Sequence, residues 1–399
     1  MKLLVPLLGA FASGLAPGLV AAALPHYRTF PGVDAATASL FVSVAMYGMV
    51  AAAGTGGWLA DRFGRVRTIR FAAGCAAVAA ILTGCCPDSR AMVFAGRLLQ
   101  GWGLGLFPVL MPLYLSETRP ADRRGRASAG YQVCNSCGNI CGGLFGFAVM
   151  TLSLAPRVTW RADVLALAPV SFVLLAFSFC IPEPGEGVAR LPEGGNGGTP
   201  FGRLLIAVTA LSLTSAMGAG VMGSYSVAIF GAIGLSGLWT NAADVGFRLS
   251  GLLAVIVSMA FVDRMGRRFV LRLGTALACL FLLAMTVLLA GLRAGLFPPG
   301  ESVGWMFSGL LFAFIASFSF GPGACAWILA AELLPRKARA KGMGLALVAN
   351  QLTTAALSTV FLPVSDRLGP SPMFGVFAVA ALAYFLLATF ALPKRPVCA

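Results

Sequence analysis

Long apolar runs alternate with short polar connections along the whole 399-residue chain. Runs of roughly 20 residues suffice for a helix to cross the hydrocarbon of a bilayer. Twelve can be drawn: 3–24, 37–59, 69–87, 92–115, 126–154, 162–181, 203–230, 246–262, 270–291, 305–331, 340–364 and 371–391. Near mid-chain, the stretch from Pro182 to Thr199 is rich in proline, glycine and glutamate and reads as a flexible linker. The expected organisation is six spans in 1–182, a linker over 183–202 and six spans in 203–399. The first run could also be a cleaved signal peptide, since it starts Met1-Lys2 and ends Ala21-Ala22-Ala23. Gly9, Gly14, Pro17 and Gly18 break it in the manner of a discontinuous membrane helix, and removing it would leave an odd number of spans. It is therefore read as a span.

Composition agrees with lipid as the solvent. Hydrophobic residues make up 58% of the chain and charged residues 11%, against about 25% charged in soluble domains. The net charge of +15 does not point to nucleic acid, because the basic residues sit in the short connections. Twenty-one of the 29 fall on one side of the expected topology, seven on the other, and Arg97 inside a span. That asymmetry predicts that both termini are cytoplasmic.

Two polar patterns occur twice. Asp61, Arg62, Gly64 and Arg65, in the connection after the second run, recur as Asp263, Arg264, Gly266 and Arg267 after the eighth. Glu117 and Arg124 recur with the same spacing as Glu332 and Arg339. Marker pairs repeated in the same order describe a duplicated membrane protein with two pseudo-symmetric halves. Gly64 would turn the chain, Gly57 would admit a neighbouring helix, and Asp61 would hold an arginine or a helix N-terminus. Such bonds, formed when the halves close, would act as a latch.

The hairpin resembles the Gly-x-x-x-Asp-Arg-x-Gly-Arg motif of the major facilitator superfamily, and more specifically of its sugar porter family. Gly96-Arg97, Gly101, Gly103, Gly105, Pro112, Tyr114, Glu117, Arg124-Gly125 and Gln132 continue the resemblance. So do Gly321-Pro322-Gly323, Trp327, Glu332, Arg339 and Asn350 in the second half. The resemblance implies the major facilitator fold, an all-α membrane protein with twelve transmembrane helices in two six-helix bundles. It implies a cytoplasmic gating network of Asp61, Arg62, Arg65, Arg97, Glu117, Arg124, Asp263, Arg267, Glu332 and Arg339. It also implies that Gln132, Trp327 and Asn350 bind solute. Amides both donate and accept, and an indole face suits the C–H surface of a polyhydroxyl molecule. On chemistry alone, each could equally be a helix-packing contact.

Several positions depart from the family pattern. The seventh span reads Thr214-Ser215-Ala216-Met217-Gly218-Ala219-Gly220 where the family has two glutamines and an asparagine, and Tyr225 survives further on. Gly251 stands for an asparagine, Gln351 for a tryptophan, and Pro182-Glu183-Pro184-Gly185 shortens a longer motif. Ala324 and Ala326 replace two prolines, so the tenth helix is expected to be less easily broken. Cys134, Cys137 and Cys141 share one helix face, roughly 140–200° from Gln132 at 100° per residue, and read as packing rather than metal ligands. Asp244 and Arg248 read as a surface pair, with the outer vestibule as a second choice.

The function expected is a membrane carrier for a small neutral solute, a hexose or related polyol, working by alternating access. No acid lies near the middle of any span as drawn, and residues 12–15 lack the aspartate that proton-coupled sugar porters place there. Facilitated diffusion is therefore expected. The alternatives are a proton-coupled drug or metabolite antiporter of the same superfamily, for which Gly138-Asn139-Ile140-Cys141-Gly142-Gly143 is the motif in view, and a solute receptor that transports nothing. No catalytic constellation is present, so an enzyme is not expected, nor is any cofactor, metal or nucleic-acid partner. The partners expected are a sugar-like small molecule and membrane lipid, with the plasma membrane as location.

Overall fold

The computed structural model describes residues 3–85, 89–118, 121–152, 154–184, 201–296, 300–334 and 339–391, and all of its regular structure is helical. The linker expected over 183–202 lies outside the described residues except at its ends. The helices in order are α1 (Leu4–Arg28), α2 (Ala35–Phe63), α3 (Arg65–Cys85), α4 (Arg90–Thr118), α5 (Ala121–Thr151), α6 (Pro156–Leu165) and α7 (Leu167–Ser178). They continue with α8 (Phe201–Ala216), α9 (Ala219–Ala232), α10 (Leu238–Met265), α11 (Arg267–Arg293), α12 (Glu301–Phe320), α13 (Pro322–Leu333), α14 (Arg339–Leu368) and α15 (Ser371–Leu386). Joined end to end where a span is interrupted, these make twelve segments long and apolar enough to cross a membrane.

Two compact units result. One holds Met1–Ala189 with the short segment Gly223–Ala228, and the other holds Arg190–Met222 with Ile229–Ala399. The same pairing plan is built in each. In the first, α1 packs on α5, α2 on α4, α3 on α4, and α3 on α6 and α7. In the second, α8 packs on α14, α10 on α12, α11 on α12, and α11 on α15. The duplication seen in the polar markers is thus a duplication of helix packing.

Small residues set the tightest contacts. A Cβ added at Gly14 would lie 1.8 Å from the Asn135 carbonyl oxygen, and one at Gly138 would lie 2.2 Å from that of Phe11. Helices lacking a hydrophobic drive towards one another associate where backbones approach closely. Gly14 and Gly18 of α1 against Gly138 and Gly142 of α5 supply that approach. The Asn135 amide adds a hydrogen bond to the Ala10 carbonyl at 3.2 Å. Gly57, by contrast, faces open space, so it does not admit a neighbouring helix as expected.

Among the described residues three spans are interrupted, between α6 and α7, α8 and α9, and α12 and α13, and one interruption overturns an expectation. The tenth span breaks at Gly321, between α12 and Pro322 of α13, although Ala324 and Ala326 stand where prolines were expected. The backbone of Gly321 (φ −106°, ψ −86°) leaves the helical region, and Pro322 begins a new helix at its first position. Gly218, at φ +83°, separates α8 from α9 in the same way. Two spans also start earlier than their apolar cores. α6 begins at Pro156 and α10 at Leu238, so Asp163 lies deeper in its span than drawn and Asp244 lies inside one.

Between α1 and α2, the Asp34 carboxylate caps α2 by accepting the Thr37 backbone N–H at 2.8 Å, and the Thr37 side chain together with this bond holds its pKa below the usual carboxylate value. Gly14→Val is expected to lower stability by at least ~2 kcal/mol, because the added atoms meet backbone that cannot yield. Gly57→Ala, at a helical position with room, is expected to be neutral or to add up to about 1 kcal/mol. Thermal unfolding of the two variants in detergent distinguishes these outcomes.

Candidate functional site

The hairpin between α2 and α3 turns on Gly64, whose φ of +91° disfavours any side chain. Gly266 repeats the turn between α10 and α11 at φ +82°. The turn brings Arg65 back against the end of α4. Its Nε lies 3.2 Å from Glu117 Oε2 and its Nη2 3.1 Å from Oε1, while Nη1 donates to the Ala60 carbonyl at 2.9 Å. Asp61 adds a second carboxylate 2.9 Å from Nη2. Every nitrogen of the guanidinium therefore has an acceptor. The Arg65 and Glu117 side chains are 24% and 22% exposed, whereas Asp61 is 73% exposed, so the pair with Glu117 is the less screened one.

Glu183 was given no role by the sequence, yet it completes the cluster. Its carboxylate accepts the backbone N–H groups of Arg65, Val66 and Arg67 at 3.1, 3.0 and 3.3 Å. These are donors that the first turn of α3 cannot satisfy internally, and the helix dipole favours a negative charge there. Next to it, the Tyr114 hydroxyl donates to the Pro182 carbonyl at 3.2 Å. The signal was an acid directly after the sixth run, beside a proline that stops the helix.

The network expected as a latch between halves is therefore, as far as the described side chains go, a clamp within the first unit. It ties α2, α3, α4 and the segment after α7. Arg62 lies over the rings of Trp58 and Phe63, at 5.5 and 5.9 Å from their centroids. Arg267 is exposed at the start of α11. The side chains of Arg124, Asp263, Glu332 and Arg339 lie outside the described residues.

Arg97 does not join this network. It sits at the other end of the α2–α4 pair, where its Nε donates to the Phe41 carbonyl at 3.0 Å, its Nη1 donates to Gln100 Oε1, and its guanidinium lies over the Phe41 ring. Eight residues from the start of α4, Arg97 cannot reach the end that carries Glu117, because a helix rises only ~1.5 Å per residue. Arg97 and Gln100 instead line a small cavity with Pro17, Met46, Met49 and Ser224. Beside it, the Tyr225 hydroxyl lies 3.5 Å from the Ser39 carbonyl.

The three expected solute ligands are placed in different surroundings. Gln132 is exposed on α5, and Trp327 is half-buried in α13 just beyond the break at Gly321. Asn350 is buried in α14 and donates to the Leu211 carbonyl of α8 at 2.7 Å, which makes it a tie between two helices. The pair read as a surface contact is buried as well. Arg248 Nε lies 2.8 Å from Asp244 Oδ2, with both side chains at most 1% exposed.

Comparison with known proteins adds the family. The model of the Major Facilitator Superfamily matches residues 7–357. Plastidic glucose transporter 4 of Arabidopsis thaliana is 27% identical, covering 96% of this chain and 76% of its own length. The galactose-proton symporter of Escherichia coli K12 is 24% identical, covering 96% and 88%. Among solved structures, the inward-open xylose transporter XylE of E. coli superposes with a TM-score of 0.85 at 17% identity, over 99% of this chain and 97% of that one. That likeness concerns the fold. The family and these relatives are transporters, not enzymes.

A double-mutant cycle tests the unequal partners of Arg65. Coupling of about 1–2 kcal/mol is expected with Glu117 and under ~0.5 kcal/mol with Asp61. Glu183→Ala is expected to cost about 1–2 kcal/mol by uncapping α3, measured as a drop in thermal stability. With twelve apolar spans, a duplicated packing plan and a family match over most of its length, the chain belongs to the Major Facilitator Superfamily.

Proposed function

We propose that this transporter carries a small, neutral, sugar-like solute, a hexose or related polyol, by alternating access between its two six-helix halves. The observation that carries the reading is the agreement of relatives named for glucose, galactose and arabinose, each aligned over nine-tenths or more of the chain. In this reading Gln132, Trp327 and Asn350 contact the solute, and the polar clusters at the hairpins bias which side is open. Asn350 would exchange its bond to Leu211 for one to a hydroxyl when solute binds. The basic asymmetry supports cytoplasmic termini, and the relatives support a cell-surface or organelle membrane.

The expectation of passive diffusion rested in part on finding no acid near the middle of a span, and Asp163, fully buried inside the sixth, weakens that part of it. Proton coupling is therefore the second reading, favoured by that residue. The polar loss in the seventh span weakens the case for tight hexose binding, and it keeps a receptor in view as an outcome of the test.

The test is uptake into proteoliposomes across a panel of hexoses, pentoses, polyols and organic cations. A sugar or polyol is expected to be taken up, while solute binding without flux would select a receptor. For the solute that moves, Gln132→Ala and Trp327→Ala are each expected to raise KM about fivefold to tenfold, the loss of about 1–1.4 kcal/mol of contact. Unchanged KM in both variants would remove these residues from the pocket.

A further inference from the structure

The sixth span carries a group that neither the ionic clamp nor the solute pocket uses. Asp163 is 0% exposed, and neither carboxyl oxygen meets a hydrogen-bond donor among the described residues. It lies seven residues into α6, about 10 Å along the helix from Pro156. The packing around it is close. A Cβ at Gly146 of α5 would stand 3.9 Å from Asp163 Oδ1 and 2.1 Å from the Ala22 Cβ of α1. Asp163 is thus shut into the seam where α1, α5 and α6 meet.

The charged and titratable groups on the packed elements do not neutralise it. On α1 they are His26, Tyr27 and Arg28, with Tyr27 stacked on Phe41 and edge-on to Trp160. On α5 they are Tyr131 and the thiols of Cys134, Cys137 and Cys141, with Asp122, Arg123, Arg124 and Arg126 in its first two turns, and on α3 the thiols of Cys75 and Cys85, with Arg65, Arg67 and Arg70 at the far end. Along α6 itself, Arg157 lies over the Phe30 ring and Arg161 over the Trp160 ring. α7 carries no titratable side chain. An ionised carboxylate without a donor, shut away from water, costs several kcal/mol. The neutral acid is the form that fits this conformation.

The covering helix also borders the cavity. Ala16, Pro17 and Val20 of α1 line the space beside Arg97, and two turns or fewer further on Ala22 helps close the seam over Asp163. Pro17 removes a backbone hydrogen bond within α1 and loosens it at that level. A movement of α1 that changes the cavity therefore changes the access of water to Asp163.

We propose that Asp163 is the proton-binding site of this carrier, taking up one proton when its seam is closed and releasing it when α1 moves and water enters. The step is the association of a carboxylate with a proton to give the carboxylic acid, reversed after the conformational change on the other side, with no other bond made or broken. The proposal rests on the carrier reading above and adds its driving ion.

Purified full-length protein in proteoliposomes tests it, using the sugar or polyol found to move. With an inside-alkaline gradient of one pH unit, wild type is expected to accumulate solute, with a limit of about tenfold at one proton per solute. Asp163→Asn, which keeps shape and stays neutral, is expected to abolish accumulation while retaining counterflow exchange. Asp163→Glu is expected to restore part of the accumulation. An external pH electrode should record proton entry with solute in wild type and not in Asp163→Asn, and infrared difference spectra should contain a protonated-carboxyl band that Asp163→Asn removes. Accumulation that survives in Asp163→Asn, or solute movement without protons in wild type, would overturn the proposal even if Asp163→Asn fails to fold. No transport of any sugar or polyol would instead sink the carrier reading.

Discussion

A charge inside a bilayer has no water to appeal to, and the arrangement of this chain follows from how each one is answered. Arg65 receives two carboxylates and a carbonyl at the end of the α2–α4 pair. Asp244 and Arg248 answer each other within one helix turn. Arg97 is met by a carbonyl, an amide oxygen and a ring face. Asp163 is met by nothing that donates among the described residues. These are four grades of compensation. The best compensated sits at a hairpin, where rigidity has a use, and the least compensated sits in a helix seam, where a change of protonation could be felt.

The spans and the duplication were legible because they depend on properties local in sequence. Twenty apolar residues have one stable way to satisfy their backbone in lipid, and a glycine between an acid and an arginine can only be a tight turn. Arg65 and Glu117 were both placed in an ionic network by resemblance, but their pairing within a single unit depends on how α3 returns against α4. Glu183 was visible as an acid after a span, but not as a cap, since the helix it serves begins more than a hundred residues earlier. Arg97 was grouped with the hairpin by resemblance, and simple rise along α4 separates them.

Asp163 was missed for a different reason. The sixth run was drawn from its apolar core, starting at 162, which left the acid at the edge. The helix begins at Pro156, a proline at its first turn, and carries two arginines into the span before the acid. Hydropathy alone trims such ends, because it scores Arg157, Arg161 and Asp163 as solvent-facing. Burial of Trp160 against Tyr27 and Phe41 holds this first stretch of α6 in the fold. The same trimming left the Asp244–Arg248 pair at the start of α10 reading as a surface contact, although it is buried. The break at Gly321 was missed because the expectation weighed the absent prolines and overlooked the Gly-Pro step that does the breaking.

These parts differ in what they permit to move. The α1–α5 contact is backbone against backbone, so sliding those helices past one another would drive Gly14 and Gly138 into carbonyl groups. The hairpin clamp fixes α2, α3 and α4 at one end. Freedom is left in the interrupted helices, where the backbones of Gly218 and Gly321 leave the helical region, and in α1 at Pro17. A carrier needs stiff bodies and a few weak joints, since a body that deforms everywhere passes no force. Placing a lone acid under α1, which carries a weak joint and borders a cavity, puts proton occupancy where a small displacement changes its cost most. That makes the sixth span a sensor of the first.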